Sequence, residues 1–157
     1  PVLGSGSSTS RSEKHKSPGG VMAKDKRARI KGRKSSAGFM GLPHHLLASP
    51  AFLSLDGSAV KLLVDITSQY HGYNNGDLAM AWKIMEKKGW RSRDTLNNAR
   101  KKLLDRGLIQ LTRQGGRHRA SLYAITWQGI DECKGKLEVG PTDRPSNLWK
   151  DYQSDAG

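Results

Sequence analysis

Cysteine is nearly missing from this chain: Cys133 stands alone, which excludes an internal disulfide and a cysteine-built zinc site. A reducing compartment is the expectation. No run approaches the roughly eighteen apolar residues of a membrane span, and the N-terminal stretch has no apolar signal core. The cytoplasm, or the nucleoid within it, is therefore the expected location. Catalytic signatures are missing as well: there is no glycine-rich loop ending in GKS or GKT, no HExxH, no GxSxG and no pair of carboxylates on one apolar face. Cys133 has only Lys134 beside it to activate a thiolate, so an idle or structural thiol is expected. His44 and His45 are adjacent, cannot share one helix face, and have no carboxylate or cysteine at ligand spacing. The reading is of a protein that is not an enzyme, with no catalytic residues, no metal and no cofactor.

Acid is scarce too. Lys and Arg number 27 against 14 Asp and Glu, a net charge of +13, with a pI near 10.1. Such an excess attracts polyanions, either nucleic acid or an anionic membrane surface. Apolar residues make up only 35% of the chain, and the mean hydropathy is −0.67, so part of it is expected to lack a packed core. Residues 1–38 fit that description, with ten Lys/Arg against Glu13 and Asp25 and almost nothing to bury. GSGSSTS has the composition of a flexible linker; with Pro1 at the start, part of 1–21 reads as linker or fusion remnant and Met22 as a candidate start. Lys24, Lys26, Arg27, Arg29, Lys31, Arg33 and Lys34 then stand against one acid, the pattern of an arm that wraps phosphates. The second concentration lies at 87–119, with eleven Lys/Arg against Asp94 and Asp105, a net of +9.

Local signals place that charge on elements. Composition changes abruptly at Phe39, a domain boundary. Ser49-Pro50 opens a brief helix over 51–55, with proline tolerated in the first turn. Asp56 or Ser58 opens the next, the first of three scaffold helices, with Val60, Leu63, Val64 and Thr67 on one face and Leu62, Ile66 and Tyr70 broadening it. HGYNNG at 71–76 is a turn in which Asn75-Gly76 favours positive φ. Leu78, Ala81, Trp82 and Met85 recur at helical spacing, predicting a second helix over 78–85 with Trp82 as a core anchor. Ser92 caps a third helix over 92–106, with Leu96, Ala99 and Leu103 inward and Gly107 as its stop. Asp94, Asn97, Asn98 and Lys101 then point away from the core, flanked by Arg93 and Arg100. LIQLTR and ASLYAITW read as strands of a hairpin, with Gly115-Gly116 supplying positive φ at its turn. Trp82, Leu96, Leu103 and Trp127 are the expected shared core. One helical turn is expected at 127–133. Beyond it runs a tail over 134–157, whose Trp149 and Tyr152 are either folded back or a docking motif.

The order NNGDLAMAW, then GWRSRDTLNNARKKLLDRGLI, then YAITW resembles the winged helix-turn-helix family, in particular its bacterial, phage and plasmid regulators and replication proteins, over roughly residues 55–130. The resemblance implies an α+β, mostly α fold over 39–133: a three-helix core with a small antiparallel hairpin wing, and a connector strand at 71–76. It also implies that Arg113, Arg117, His118 and Arg119 on the wing touch backbone or minor groove. Side-chain chemistry makes Arg93, Asn97 and Asn98 candidates for base contact, since Arg reads guanine and Asn reads adenine through paired hydrogen bonds. Thr95 and Lys101 would reach phosphate or the groove edge. Arg91 and Ser92 lie at the positive helix N-terminus, which suits a phosphate. The expected function is sequence-specific duplex DNA binding in transcription regulation, with initiation of plasmid or phage DNA replication as the alternative. A different class is an adaptor whose fold serves protein contact while its arm binds RNA or acidic surfaces. Expected partners are duplex DNA and, through the tail, the transcription or replication machinery, with no membrane; oligomeric state stays open.

Overall fold

Each of three helices begins where a short polar side chain closes its first turn. In a computed structural model of the chain, which describes residues 38–154, α1 (His44–Leu47) follows Pro43 and leads into α2 (Pro50–Leu53). Ser49 Oγ accepts the Phe52 N–H of α2 at 3.3 Å, with Pro50 in the first turn, where its missing N–H costs nothing. Asp56 accepts the Ala59 N–H at 3.0 Å to open α3 (Gly57–Thr67). After strand β1 (Leu78–Ala79) and α4 (Trp82–Lys87), Ser92 Oγ accepts the Thr95 N–H at 3.2 Å to open α5 (Arg93–Asp105). Gly107 ends α5 at φ +72°. Its N–H and that of Leu108 turn back to the carbonyls of Leu104 and Leu103 at 3.1 and 3.0 Å, satisfying groups a helix end leaves bare. The basic arm at 24–34 and the linker-like residues 1–21 lie outside the described residues.

Strands β2 (Ile109–Arg113) and β3 (Leu122–Ile125) form a hairpin, and β1 pairs with the far side of β3, giving an antiparallel sheet in the order β1-β3-β2. Leu78 lies opposite Tyr123 and Ile109 opposite Ile125, with a bulge between Leu111 and Arg113. Five α-helices and this three-stranded sheet make a small α+β protein among the described residues, an arrangement compatible with a winged-helix fold. No helix among them is long and apolar enough to cross a membrane.

The helix expected over 78–85 begins only at Trp82. Leu78 and Ala79 are instead a strand, because two partners compete successfully for their backbone. On one side is β3; on the other, Gln69 uses its side-chain amide as a neighbouring strand would, donating to the Ala79 carbonyl at 2.7 Å and accepting its N–H at 2.9 Å. The connector strand therefore lies at 78–79, after the 71–76 turn.

The core lies where α3 and α5 meet the sheet. Ala59, Leu62, Leu63 and Ile66 of α3 and Leu96, Ala99 and Leu103 of α5 are buried with Leu78, Met85, Trp90, Ile109, Ile125 and Trp127. The inward face of α3 is rotated from expectation: Ala59 is on it, while Val64 is 38% exposed. Trp82 is half-buried at the rim, packed against the core from outside.

The C-terminal stretch belongs to this core. Asn147 donates its N–H to the Thr126 carbonyl at 2.8 Å, and a 3₁₀ turn (Leu148–Asp151) carries Trp149 inward to 4% exposure. His45 packs on the Trp149 ring at 5.3 Å between centroids, and Tyr152 lies beneath the Arg106 guanidinium at 5.2 Å. Trp149 is therefore folded back, and a docking role cannot rest on it as a free side chain. The helical turn expected at 127–133 does not form, because its backbone is engaged over long range. Ile130 exchanges hydrogen bonds with Thr142 at 2.9 Å each, and Asp131 donates its N–H to the Asn75 carbonyl at 2.8 Å. The 3₁₀ turn nearby is Cys133–Gly135.

Candidate nucleic-acid interface

Burial of Leu96, Ala99 and Leu103 turns the opposite face of α5 to solvent, where Asp94, Asn97, Asn98 and Lys101 are exposed. Arg91, Ser92, Arg93 and Thr95 are exposed at its N-terminal end. Arg93 does not hang free. Its guanidinium sits 5.2 Å over the Trp82 ring, a cation–π contact that keeps the arginine on the flank of the helix. Trp82, expected as a core anchor, is thus a half-buried platform. Asn97 is engaged too, its Oδ1 accepting from Arg100 Nε at 3.1 Å and from Nη2. Arg100 Nη1 in turn reaches the Tyr123 hydroxyl of β3 at 3.4 Å.

The C-terminal half of α5 spends its charge differently. Lys102 pairs with Asp56 at 2.6 Å, and Arg106 donates to Ser54 Oγ at 2.7 Å. Hydrogen bonds from Lys102, first, and from the Ala59 N–H hold the Asp56 carboxyl below its ordinary range. These two cations attach the helix to the scaffold. Among the described residues, Arg91, Arg93, Lys101 and Arg117 form no ion pair.

The hairpin candidates divide in the same way. Its tip is closed by the Gly116 N–H donating to the Arg119 carbonyl at 2.9 Å. Neither Gly115 nor Gly116 takes a positive φ, contrary to expectation. Gly115 is required for space: a Cβ there would lie 2.4 Å from Ser121 N. Arg113 folds onto its own hairpin, donating from Nη2 to the Ala120 carbonyl at 2.9 Å while its Nε is buried without a partner. Arg119 pairs with Glu138 at 2.8 Å. Glu138 also accepts the Gln114 N–H at 3.1 Å and donates its own N–H to the Thr112 carbonyl at 2.8 Å, fastening the chain after β3 along the outer edge of β2. Arg117 and His118 are left exposed at the tip.

Two clefts that share Met80 and Arg100 flank α5, one of about 310 Å³ between the helix and the hairpin and one of about 270 Å³ between the helix and the start of α4. Gln114, Ser121 and Tyr123 line one, and Trp82, Arg93 and Asn97 the other. Arg100 is thus the divider of the basic surface, a position its flanking place in the helical pattern did not reveal. The available signal was its spacing three residues after Asn97, which brings two helical side chains together.

The remaining polar candidates stand apart from this surface. His44 and His45 are exposed on α1, and no group of three potential metal ligands occurs among the described residues. Cys133 is half-buried with Sγ 3.6 Å from the Asn75 carbonyl, and burial pushes its thiol pKa up, away from nucleophilic use at neutral pH. No family model, curated protein or solved structure matches this chain.

Proposed function

We propose that residues 39–154 form a winged helix-turn-helix domain that binds duplex DNA sequence-specifically, and that the chain is a transcription regulator of bacterial, phage or plasmid type. The observation that carries this reading is the division of side chains along α5: Lys102 and Arg106 secure its C-terminal end to the scaffold, while Arg91 just before the helix, Arg93, Asn97 and Asn98 in its N-terminal half and Lys101 on the same outer face are exposed to solvent. A helix enters the major groove with its N-terminal residues against base edges. The element order α3, β1, α4, α5, β2, β3 and the sheet order β1-β3-β2 support the same assignment. In this mechanism Asn97 and Asn98 read bases, and Arg93 reaches them from its Trp82 platform. Lys101 and Thr95 meet the groove edge, and Arg91 and the Ser92 end of the helix meet phosphate. Arg117 and His118 touch the flanking backbone, and the arm at 24–34 adds attraction that does not depend on sequence.

The test compares Asn97→Ala with Arg117→Ala on a selected duplex and on its scrambled counterpart, each at several salt concentrations. Asn97→Ala is expected to lose about 1–3 kcal/mol on the selected site and little on the scrambled one. Arg117→Ala is expected to weaken both alike, with a salt slope shallower by about one. Equal weakening of the two duplexes by Asn97→Ala would remove α5 as the reading element. It would leave an adaptor role, with the fold serving protein contact, as the better account.

A further inference from the structure

The inference concerns which bases Asn97 can read, and it rests on the duplex-binding proposal above. A carbonyl oxygen has two lone pairs, and Asn97 Oδ1 already faces two donors of one guanidinium, Arg100 Nε at 3.1 Å and Nη2. A guanidinium has no acceptor, so the amide cannot be turned end for end and keep these bonds. The guanidinium is itself held from behind: Arg100 is half-buried, its Nη1 lies 3.4 Å from the Tyr123 hydroxyl, and Tyr123 is fixed in the central strand. What Asn97 has left to offer is its Nδ2 group, two donors and no acceptor. Adenine's major-groove edge presents a donor beside an acceptor and asks for both functions from one amide; guanine presents two acceptors, and thymine one.

We infer that Arg100 is a specificity-determining residue: by occupying the Asn97 carbonyl it makes Asn97 a donor-only reader that selects guanine or thymine over adenine. Arg100 acts through Asn97 and need not touch DNA. Its removal should therefore change which base is preferred and not only how tightly DNA is held.

The experiment is selection from a randomised duplex pool, followed by competition among the four bases at each position. The position read by Asn97 is the one whose preference disappears in Asn97→Ala. There the wild-type chain is expected to disfavour adenine by about tenfold. Arg100→Met keeps the aliphatic stem, removes every N–H and frees Oδ1, so the preference should move to adenine. Loss of the charge lowers affinity for all duplexes alike and leaves preference untouched. Tyr123→Phe loosens Arg100 without removing it and should move the preference part of the way; it decides the question should Arg100→Met fail to fold. Adenine preferred by the wild type overturns the inference while leaving duplex reading intact, and so does a preference that neither Arg100→Met nor Tyr123→Phe alters. Failure of the wild type to bind duplex, or an Asn97→Ala variant with no position-specific effect, removes the reading role of α5 and this inference with it.

Discussion

Asn75 is fully buried and uses both ends of its amide to hold the β3 end together. Oδ1 accepts the Ile125 N–H at 2.8 Å, and Nδ2 faces the carbonyls of Ile125, Gln128 and Gly129 at 3.0, 3.1 and 2.8 Å. Its own backbone N–H donates to Asp131 Oδ2 at 2.8 Å. Asn75→Asp preserves the shape but points an oxygen at three carbonyl oxygens, and each buried polar group left without a partner costs about 1–3 kcal/mol. We expect Asn75→Asp to lower unfolding free energy by at least about 2 kcal/mol in denaturant titrations; a loss under about half that would show that the network can rearrange. Asp56 makes a smaller, pH-dependent contribution. Its folded pKa is depressed, chiefly by the Lys102 hydrogen bond. The stabilisation is therefore present above the ordinary carboxylate pKa and is lost as pH falls through the folded one. Asp56→Asn keeps a capping oxygen, so its stability deficit at neutral pH should shrink towards zero in acid. Parallel unfolding curves that keep a constant gap down to about pH 2 would rule out that linkage.

At the scale of elements, α5 is tied to the scaffold at its C-terminal end by Lys102 and Arg106 and to the hairpin by the contact of Arg100 with Tyr123. Its C-terminal stop is also a packing point: a Cβ on Gly107 would lie 2.6 Å from the Leu148 backbone carbon, and Thr126 Oγ1 donates to the Gly107 carbonyl at 2.7 Å. Gly107→Ala should therefore cost more than the roughly 1 kcal/mol that a positive φ alone imposes on alanine. The excess should appear as displacement of the C-terminal strap, read as greater exposure of Trp149 by fluorescence and hydrogen exchange in 147–152. A cost near 1 kcal/mol with Trp149 still buried would mean that Leu148 moves aside freely. The hairpin shows the same dependence on a neighbour, since Gly115 is needed for its approach to Ser121 and not for its dihedral angle.

For the whole molecule, charge is divided between two regions. Residues 1–38 contribute ten Lys/Arg and two acids, and 39–157 contribute seventeen and twelve, or +8 and +5. Part of the second group is neutralised locally, as at Lys102–Asp56, Lys136–Asp77 and Arg119–Glu138. The net attraction for a polyanion is thus expected to come mainly from the arm, whose seven basic residues at 24–34 precede the described structure. Deleting 1–34 should flatten the dependence of log K on log salt by several units, at about 0.9 per phosphate released. The preferred site should be unchanged. An unaltered slope would assign the phosphate contacts to the α5 and hairpin surface instead.

The sequence by itself determined what depends on residues three or four apart. Ser49-Pro50, Ser92 and Gly107 mark helix ends because a cap is satisfied within its own turn, whereas Asp56 and Ser58 both fit a cap and only the Ala59 N–H bond selects Asp56. Leu96, Ala99 and Leu103 mark the inner face of α5 because helical spacing alone puts them together, and Asn97, Asn98 and Lys101 are outside for the same reason. Only the tertiary structure decided the rest. Spacing over 78–85 fits a helix until Gln69 and β3 take the backbone of Leu78 and Ala79. Lys102 and Arg106 look like Arg91 and Lys101 in a charge count until Asp56 and Ser54, about fifty positions away, claim them. Trp149 looks like a tail residue until Asn147 docks on Thr126. These outcomes turn on hydrogen bonds and burial between segments distant in the chain, where no local period or cap leaves a trace.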